Sequence, residues 1–261
     1  MTNPVLLLPP SEKKRPGGDR HRWLESFPSL DPYRHEVIEA LQRYLRRPDA
    51  HHQRLFGVKG DALKEAVEKN LALLDSPTRP AIERYTGVLY DELDYPSLSR
   101  AARESFDSDA VIFSGLWGLV RPTDQLPDYK LKMGAALPPM GRLATWWRPP
   151  LCSALDEFVA DRVVWDLLPQ EHETAWRAAS GTQRLRIGVR FLDERGRRIA
   201  HWNKLLKGSL ARYIVEKHPT SVEDLAPFEH PAGYILDLES SLSDGRTAAA
   251  VFRKAGLETP H

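Results

Sequence analysis

Residues 110–124 read AVIFSGLWGLVRPTD, and this stretch places an apolar run directly before a polar turn. Its first residues include the β-branched Val111 and Ile112, which is typical of a strand buried on both faces. Gly115 and Gly118 follow at three-residue spacing, and glycine permits backbone conformations or close approaches that other residues do not. We therefore predict a buried strand that ends at a glycine turn.

Other apolar runs extend this pattern to both ends of the chain. Strands are predicted over Val5–Leu8 and over residues 163–168, 185–192, 234–238 and 247–252. Helices are predicted after the capping residue Asp31 and over residues 61–74, 151–159 and 202–214, while residues 84–93 are ambiguous and Thr220 with Glu223 predicts one more short helix. Strands at both ends with helices between them predict one α/β (mixed α+β) domain over residues 1–261, with a central mixed sheet and surrounding helices.

Composition excludes several classes of protein. The chain has 261 residues, with 37 Lys and Arg against 36 Asp and Glu, so it is not a uniformly basic nucleic-acid protein. A single cysteine, Cys152, excludes an intramolecular disulfide framework and favours a reducing compartment. The apolar run at residues 5–8 is too short to span a bilayer. We therefore expect a soluble cytoplasmic protein with no membrane contact.

The charge is neutral in total but segregated along the chain. Residues 184–217 carry ten Lys and Arg against three acidic residues, a net charge of +7, and residues 218–245 carry six acidic residues and no Lys or Arg. One interpretation is a solvated surface whose cations pair with the following acidic segment. The other is a basic face that contacts phosphates.

Two groups of candidate residues follow from these patterns. The first follows strand ends or glycine turns, where α/β proteins place ligand sites, and we predict that its members line one concave cleft: Ser11, Glu12, Lys14, Ser114, Gly115, Arg121, Asp124 and Tyr129. The second is a candidate nucleic-acid surface on and before the helix near residue 204: Arg198, Lys204, Lys207, Gly208 and Arg212. Glycine inside a helix costs stability, so Gly208 predicts a close packing contact.

Metal, cofactor and nucleophile signals are weak. The histidines show no paired spacing typical of zinc, and Cys152 has no evident partner. The chain also lacks the Gly-x-Ser-x-Gly turn of serine hydrolases. We predict no metal site and no cofactor, and we leave the catalytic residues and the oligomeric state unassigned.

The polar stretches taken together resemble the YaaA family of bacterial peroxide stress proteins, across nearly the whole chain. The stretches that carry the resemblance are residues 6–12 (LLLPPSE), 114–124 (SGLWGLVRPTD), 129–134 (YKLKMG) and 191–194 (FLDE), with Lys204, Lys207, Gly208, Arg212, Gly233, Tyr234, Ser240 and Ser241.

This resemblance implies a bowl-like α/β fold with a positively charged cleft and a helix-hairpin-helix element, which would fall within residues 208–234. It also implies a peroxide stress protein that lowers free intracellular iron and so limits oxidative damage, with double-stranded DNA as a partner of the cleft.

Three functions therefore compete. The first is a stress protein that binds duplex DNA through the basic face. The second is an enzyme acting on a phosphorylated or nucleoside-like small molecule in the cleft. The third is direct iron binding, which we rank last because no ligand cluster is evident in the sequence.

Overall fold

The structure is a computed structural model that describes residues 3–19, 26–47, 51–176, 182–197, 199, 203–230 and 232–254. Its strands, in chain order, are β1 (Val5–Leu8), β2 (Arg79–Pro80), β3 (Ala110–Ser114), β4 (Gly118–Val120), β5 (Gln125–Leu126), β6 (Ala136–Leu137), β7 (Gly141–Arg142), β8 (Val163–Asp166), β9 (Leu185–Leu192), β10 (Tyr234–Leu236), β11 (Leu242–Asp244) and β12 (Thr247–Lys254).

The α-helices are α1 (Asp31–Leu45), α2 (His52–Phe56), α3 (Asp61–Leu71), α4 (Ala81–Arg84), α5 (Val88–Leu93), α6 (Arg100–Asp109), α7 (Leu143–Val159), α8 (Gln170–Glu173) and α9 (Asn203–Lys217). Short 3-10 turns cover Pro28–Leu30, Tyr95–Ser97 and Glu223–Leu225. The predicted mixed α/β class is confirmed.

The main sheet has the strand order β10-β12-β9-β8-β1-β3-β4, and β11 pairs with β12. The five inner strands from β12 to β3 are parallel to their neighbours, whereas β4, β10 and β11 are antiparallel additions. Strand β1 lies in the middle, and its four residues are almost completely buried because helices and loops cover both faces. The buried side chains form one contiguous core.

The chain leaves β1 toward β3 on one side and later returns to β8 on the other side. Strand order therefore reverses next to β1. In open α/β sheets such a reversal opens a crevice at the carboxyl ends of the strands, where ligands bind. The loops that follow β1, β3 and β8 meet at this edge.

Several predicted boundaries were wrong. Asp31 is the first residue of α1 rather than its cap, and its carboxylate accepts a hydrogen bond from Arg34 (2.7 Å). Helix α3 ends at Leu71, which leaves Leu74 more than half exposed. The ambiguous residues 84–93 belong to helices α4 and α5, and β10 ends at Leu236 instead of residue 238.

Near the C-terminus, the two predicted strands β10 and β12 pair with each other, and the additional strand β11 between them forms a hairpin with β12. One further prediction there was wrong. The capping pair of Thr220 and Glu223 does not form, because the Asp224 carboxylate accepts from the Thr220 amide (2.7 Å) and the helix there is a single 3-10 turn.

The helix-hairpin-helix element predicted within residues 208–234 is not shown by the described residues. Helix α9 ends at Lys217, and the described residues after it form only one 3-10 turn before β10 begins. Pro219 and Pro227 lie on either side of this 3-10 turn and disfavour a longer helix, since proline inside a helix removes a hydrogen bond and clashes with the preceding turn.

Candidate functional site

The loop that follows β1 is held against the connection between α4 and α5. The Thr86 amide donates to the Lys13 carbonyl (3.1 Å) and the Arg15 amide to the Arg84 carbonyl (2.9 Å). The Ser11 hydroxyl donates to the Thr86 carbonyl. These backbone contacts fix residues 11–15 at the carboxyl edge of the sheet.

Arg84 anchors the same loop from beneath. Its buried guanidinium donates to the carbonyl of Leu126 (3.0 and 2.8 Å), to that of Gly17 (2.8 Å) and to that of Pro77 (3.2 Å), and it also donates to the Arg15 carbonyl. Burial lowers the pKa of Arg84 to about 10. One side chain therefore ties the β1 loop to β5.

Lys14 lies on an aromatic surface inside this loop. Its Nζ atom is 4.3 Å from the ring centre of Tyr129 and 5.5 Å from that of Tyr85, and it donates to the Ser11 carbonyl (2.9 Å). Burial lowers the pKa of Lys14 to about 7, and the nearby charges of Lys130 and Lys69 act in the same direction against the opposing charge of Asp128.

A buried chain of hydroxyl groups lies under Lys14. The Tyr129 oxygen is 2.6 Å from the Tyr85 oxygen and 2.7 Å from the Ser114 oxygen. Ser114 Oγ also accepts from the backbone amides of Leu116 (3.3 Å) and Trp117 (3.1 Å), so its own proton points to Tyr129. Burial raises the pKa of Tyr129 to about 12, and the ring therefore stays a neutral phenol.

Five lysines lie near two carboxylates at this edge, Glu12 and Asp128, and we call them the lysine cluster: Lys14, Lys69, Lys130, Lys132 and Lys204. Glu12 lies 3.0 Å from Lys132 Nζ and 4.0 Å from Lys130 Nζ. Partial burial raises the pKa of Glu12, but the hydrogen bond and charge of Lys132, with the charges of Lys130 and Lys204, bring it below its usual value. Lys69 pairs instead with Asp128 (3.0 Å) and Glu65 (2.8 Å).

Gly115 shapes the floor of the cluster. A Cβ atom at this position would lie 2.6 Å from the Met133 amide nitrogen, closer than real Cβ atoms come to backbone. Only glycine at position 115 therefore lets the backbone of residues 132–133 pack directly against the end of β3. This packing places Lys132 at the end of that strand.

Arg121 and Asp124 lie in a different environment. The Arg121 guanidinium donates to the carbonyls of Asp107 (3.2 Å) and Ser108 and stacks on Phe158 (4.6 Å to the ring centre). The Asp124 carboxylate accepts from the Arg121 amide (2.7 Å) and the Ser26 hydroxyl (2.8 Å). Both residues tie the turn after β4 to its neighbours.

The structure therefore brings together Ser11, Glu12, Lys14, Ser114, Gly115 and Tyr129 from the predicted cleft, but it does not join Arg121 and Asp124 to them. Tyr85 was not identified as a site residue from the sequence, because nothing distinguishes it from other aromatic residues and it lies in the ambiguous segment 84–93. Lys130 and Lys132 lie in the basic and aromatic stretch 129–134, but their spacing alone did not identify them as site residues.

The candidate nucleic-acid residues on α9 differ among themselves. Lys204 is exposed, but Lys207 is buried and its Nζ donates to the carbonyls of Leu167 (2.8 Å) and Leu168 (3.3 Å) just beyond β8. Arg212 donates to the Ser97 hydroxyl (2.8 Å) and to Glu216 (3.1 Å). An exposed basic face formed by these three residues is therefore wrong for Lys207, and Arg198 lies outside the described residues.

Gly208 faces helix α5. A Cβ atom there would lie 2.7 Å from the Glu92 Cβ and closer still to the Leu89 carbonyl oxygen. The predicted packing reason for this glycine is confirmed, and the close approach positions α9 with Lys204 beside the cluster.

Comparison with known proteins places this geometry in a family. Residues 5–240 match the family described as Peroxide stress protein YaaA. The chain belongs to the YaaA family. The predicted resemblance is confirmed, and so is its coarsest functional consequence, membership of a family of peroxide stress proteins.

Three relatives of this YaaA-family chain illustrate the similarity. A UPF0246 protein of Streptomyces coelicolor is 34% identical over 249 residues, covering 93% of this chain and 95% of that protein. A UPF0246 protein of Corynebacterium glutamicum is 34% identical over 246 residues, covering 89% and 94%. An uncharacterized protein of Campylobacter jejuni is 28% identical over 211 residues, covering 78% and 82%.

Among the described residues, no group of three or more His, Cys, Asp or Glu side chains is arranged to hold a metal ion. No helix in the same part of the chain has the length and apolar character needed to cross a bilayer.

His172 is a buried titratable group in this YaaA-family chain that is affected by the charge of Lys207. Its side chain is buried against Phe113, and among the described residues neither ring nitrogen has a hydrogen-bond partner. Burial and then the charge of Lys207 lower the pKa of His172 to about 4. The imidazole is therefore neutral at physiological pH.

This shift predicts a loss of stability in acid. The unfolded chain binds a proton at His172 near pH 6.5, whereas the folded chain does so only near pH 4, so the free energy of unfolding should fall by roughly 3 kcal/mol between these values. Urea unfolding of a His172→Gln variant should show a correspondingly shallower pH slope. The exposed His35→Gln serves as the control, and an unchanged slope in His172→Gln would contradict the prediction.

Proposed function

We propose that this YaaA-family protein is a cytoplasmic peroxide stress protein that binds double-stranded DNA through the lysine cluster and thereby limits iron-dependent oxidative damage. The observation that carries the proposal is the convergence of five lysines from four separate parts of the chain around the two carboxylates Glu12 and Asp128. Folding brings these like charges together against their mutual repulsion, which is typical of a site that receives an anion.

Exposure within the cluster suits an extended phosphate backbone. Lys132 and Lys204 are exposed, while Lys14, Lys69 and Lys130 are half-buried behind them. Lys13 and Arg15 add two exposed cations on the β1 loop. Such an arrangement offers outer cations that contact phosphates and inner cations that raise the local positive potential. The proposed DNA-contact surface is therefore the lysine cluster, to which helix α9 contributes Lys204.

The salt dependence of DNA binding tests this proposal. A variant with Lys130→Ala, Lys132→Ala and Lys204→Ala should flatten the slope of log affinity against log salt by roughly two to three units, because each phosphate contact contributes about −0.9. Affinity for a 20-base-pair duplex can be measured by fluorescence anisotropy at several salt concentrations.

A matched control removes the same charge elsewhere. Lys59, Lys64 and Lys217 are exposed, and Lys217 lies 13 residues beyond Lys204 on α9, about 20 Å along the helix. Changing these three to alanine should leave the salt slope close to that of the unmodified protein. Equal slopes for both triple variants, or no binding at low salt, would overturn the proposal.

A second candidate is an enzyme acting on a phosphorylated or nucleoside-like small molecule at the same edge. The observation that favours it is the buried Ser114–Tyr129–Tyr85 chain below Lys14, since phosphate contact alone does not require buried hydroxyl groups. A phosphorylated metabolite that co-purifies with the protein and is released by the cluster variant would select this candidate. The same cluster serves both functions, so the ligand distinguishes them.

A further inference from the structure

Lys14 differs from Lys69, Lys130 and Lys132 in the cluster. Lys69 pairs with Asp128 and Glu65, and Lys130 and Lys132 both face Glu12. Among the described residues, no carboxylate lies within ion-pair distance of Lys14 Nζ, whose hydrogen bond goes to the Ser11 carbonyl. The amine is thus built into the cluster without a counter-ion of its own.

The surroundings of Lys14 disfavour a proton on it. Burial and the nearby charges of Lys130 and Lys69 act against the proton, whereas the charge of Asp128 and the face of Tyr129 favour it, and burial has the largest effect. Because burial lowers the pKa of Lys14 to about 7, the free amine is accessible near neutral pH, unlike that of a solvated lysine. A lysine that is desolvated and set beside other cations is the arrangement by which proteins activate an amine toward carbonyl groups.

The aromatic support of Lys14 is rigid. Tyr129 is buried, and its hydroxyl is held between Ser114 and Tyr85, while the backbone of Lys14 forms a β-bridge with Tyr85. Ring, backbone and amine are therefore fixed relative to one another. Such fixed geometry suits a reacting atom better than a solvated surface lysine does, because the cost of positioning is met by the fold.

We infer that Lys14 forms an imine with an aldehyde borne on a phosphorylated sugar, whose phosphate is held by the other lysines of the cluster. This inference rests on the proposed function in one respect, that the cluster binds phosphate. Two sources share this chemistry: the ring-opened sugar of an abasic position in DNA, and a free sugar phosphate. Lys130, Lys132 and Lys204 would hold the phosphate in either case.

The reaction balances without an oxidant or a reductant. The Nζ lone pair bonds to the aldehyde carbon, the carbonyl π electrons move to oxygen, and a proton passes from nitrogen to that oxygen through water to give a carbinolamine. Nitrogen then forms the C=N bond as the hydroxyl leaves with a proton as water. The products are one imine and one water molecule, and hydrolysis reverses the step.

Reductive trapping tests the inference on the unmodified protein. We would incubate it at pH 7 with glyceraldehyde 3-phosphate and cyanoborohydride, then map the modified lysine by peptide mass spectrometry. The expected result is an adduct concentrated at Lys14, at least about tenfold above that obtained with phosphate-free glyceraldehyde. Adducts spread over exposed lysines, or equal yields from the two aldehydes, would overturn the inference.

Variants separate the amine from the phosphate contacts. Lys14→Arg keeps the charge and should abolish the adduct, whereas Lys13→Arg, one residue away on the same loop, should retain it. Lys130→Ala with Lys132→Ala leaves the amine in place and should remove the preference for the phosphorylated aldehyde. Full labelling of Lys14→Arg at another lysine would contradict the assignment, and site mapping on the unmodified protein decides even if that variant fails to fold.

A second experiment identifies which molecule carries the aldehyde, and it distinguishes failure of this inference from failure of the proposed function. A duplex with one abasic position should cross-link to Lys14 under the same reduction if DNA carries the aldehyde. DNA binding without any Lys14 adduct from either probe overturns the inference and leaves the proposed function standing. An adduct with glyceraldehyde 3-phosphate and no DNA binding overturns the proposed function and selects the free sugar phosphate.

Discussion

Replacing Arg84 with alanine should lower the free energy of unfolding by about 4 kcal/mol, measured by urea denaturation at neutral pH. Arg84 is fully buried and supplies donors to the carbonyls of Leu126, Arg15, Gly17 and Pro77. Each buried carbonyl left without a donor costs about 1–3 kcal/mol, and water entering the vacated space recovers part of that cost. The β1 loop with Lys14 should loosen at the same time.

Two further variants show whether hydrogen bonds or volume cause the loss. Arg84→Met fills most of the space but donates nothing, so it should remain close to Arg84→Ala in stability. Arg100→Ala removes an exposed arginine whose one ion pair among the described residues is with Glu104 on its own helix (2.8 Å), and it should cost no more than about 0.5 kcal/mol. An Arg84→Ala protein within about 1 kcal/mol of the unmodified chain would contradict the role assigned to this residue.

The strands of the sheet centre could be predicted because their signal is local. Val5–Leu8 is a strand with the predicted bounds, Ala110–Ser114 ends one residue before the predicted Gly115, and Leu185–Leu192 again has the predicted bounds. The first two are continuous apolar runs, and a strand buried on both faces requires nothing else to be recognised. Pairing order needed the structure, since nothing in such short runs determines which neighbour each strand takes.

Helix α7 shows where a local rule fails. The pair Pro149-Pro150 predicts that a helix starts after it, yet α7 runs from Leu143 through both prolines to Val159. Leu143, Trp147, Leu151, Leu155 and Val159 recur every four residues and are all completely buried. Packing of this stripe against the core outweighs the hydrogen bonds that the two prolines remove.

The candidate site was predicted in part because charge alone does not reveal a partner. Lys207 and Arg121 were candidates for anion binding, but both donate to backbone carbonyls, and the Lys207 partners lie about 40 residues away in sequence. Tyr85 joins the site through the β-bridge with Lys14, 71 positions apart, and through its hydroxyl contact with Tyr129, 44 positions apart. Long-range pairing of this kind leaves no local signal in a single sequence.

Gly208→Ala should destabilise the protein by about 2–3 kcal/mol, although alanine is the better helix former by about 1 kcal/mol. The added Cβ would meet Glu92 and the Leu89 carbonyl of α5, so the two helices must separate. Gly188→Ala is the matched control, because its Cβ would meet its nearest atom at an ordinary 3.9 Å, and it should change stability by no more than about 0.5 kcal/mol. Moving α9 also displaces Lys204, so Gly208→Ala should weaken duplex binding while all five cluster lysines remain. If Gly208→Ala were as stable as Gly188→Ala, α5 could move aside without loss of stability. The close approach of the two helices would then not position Lys204.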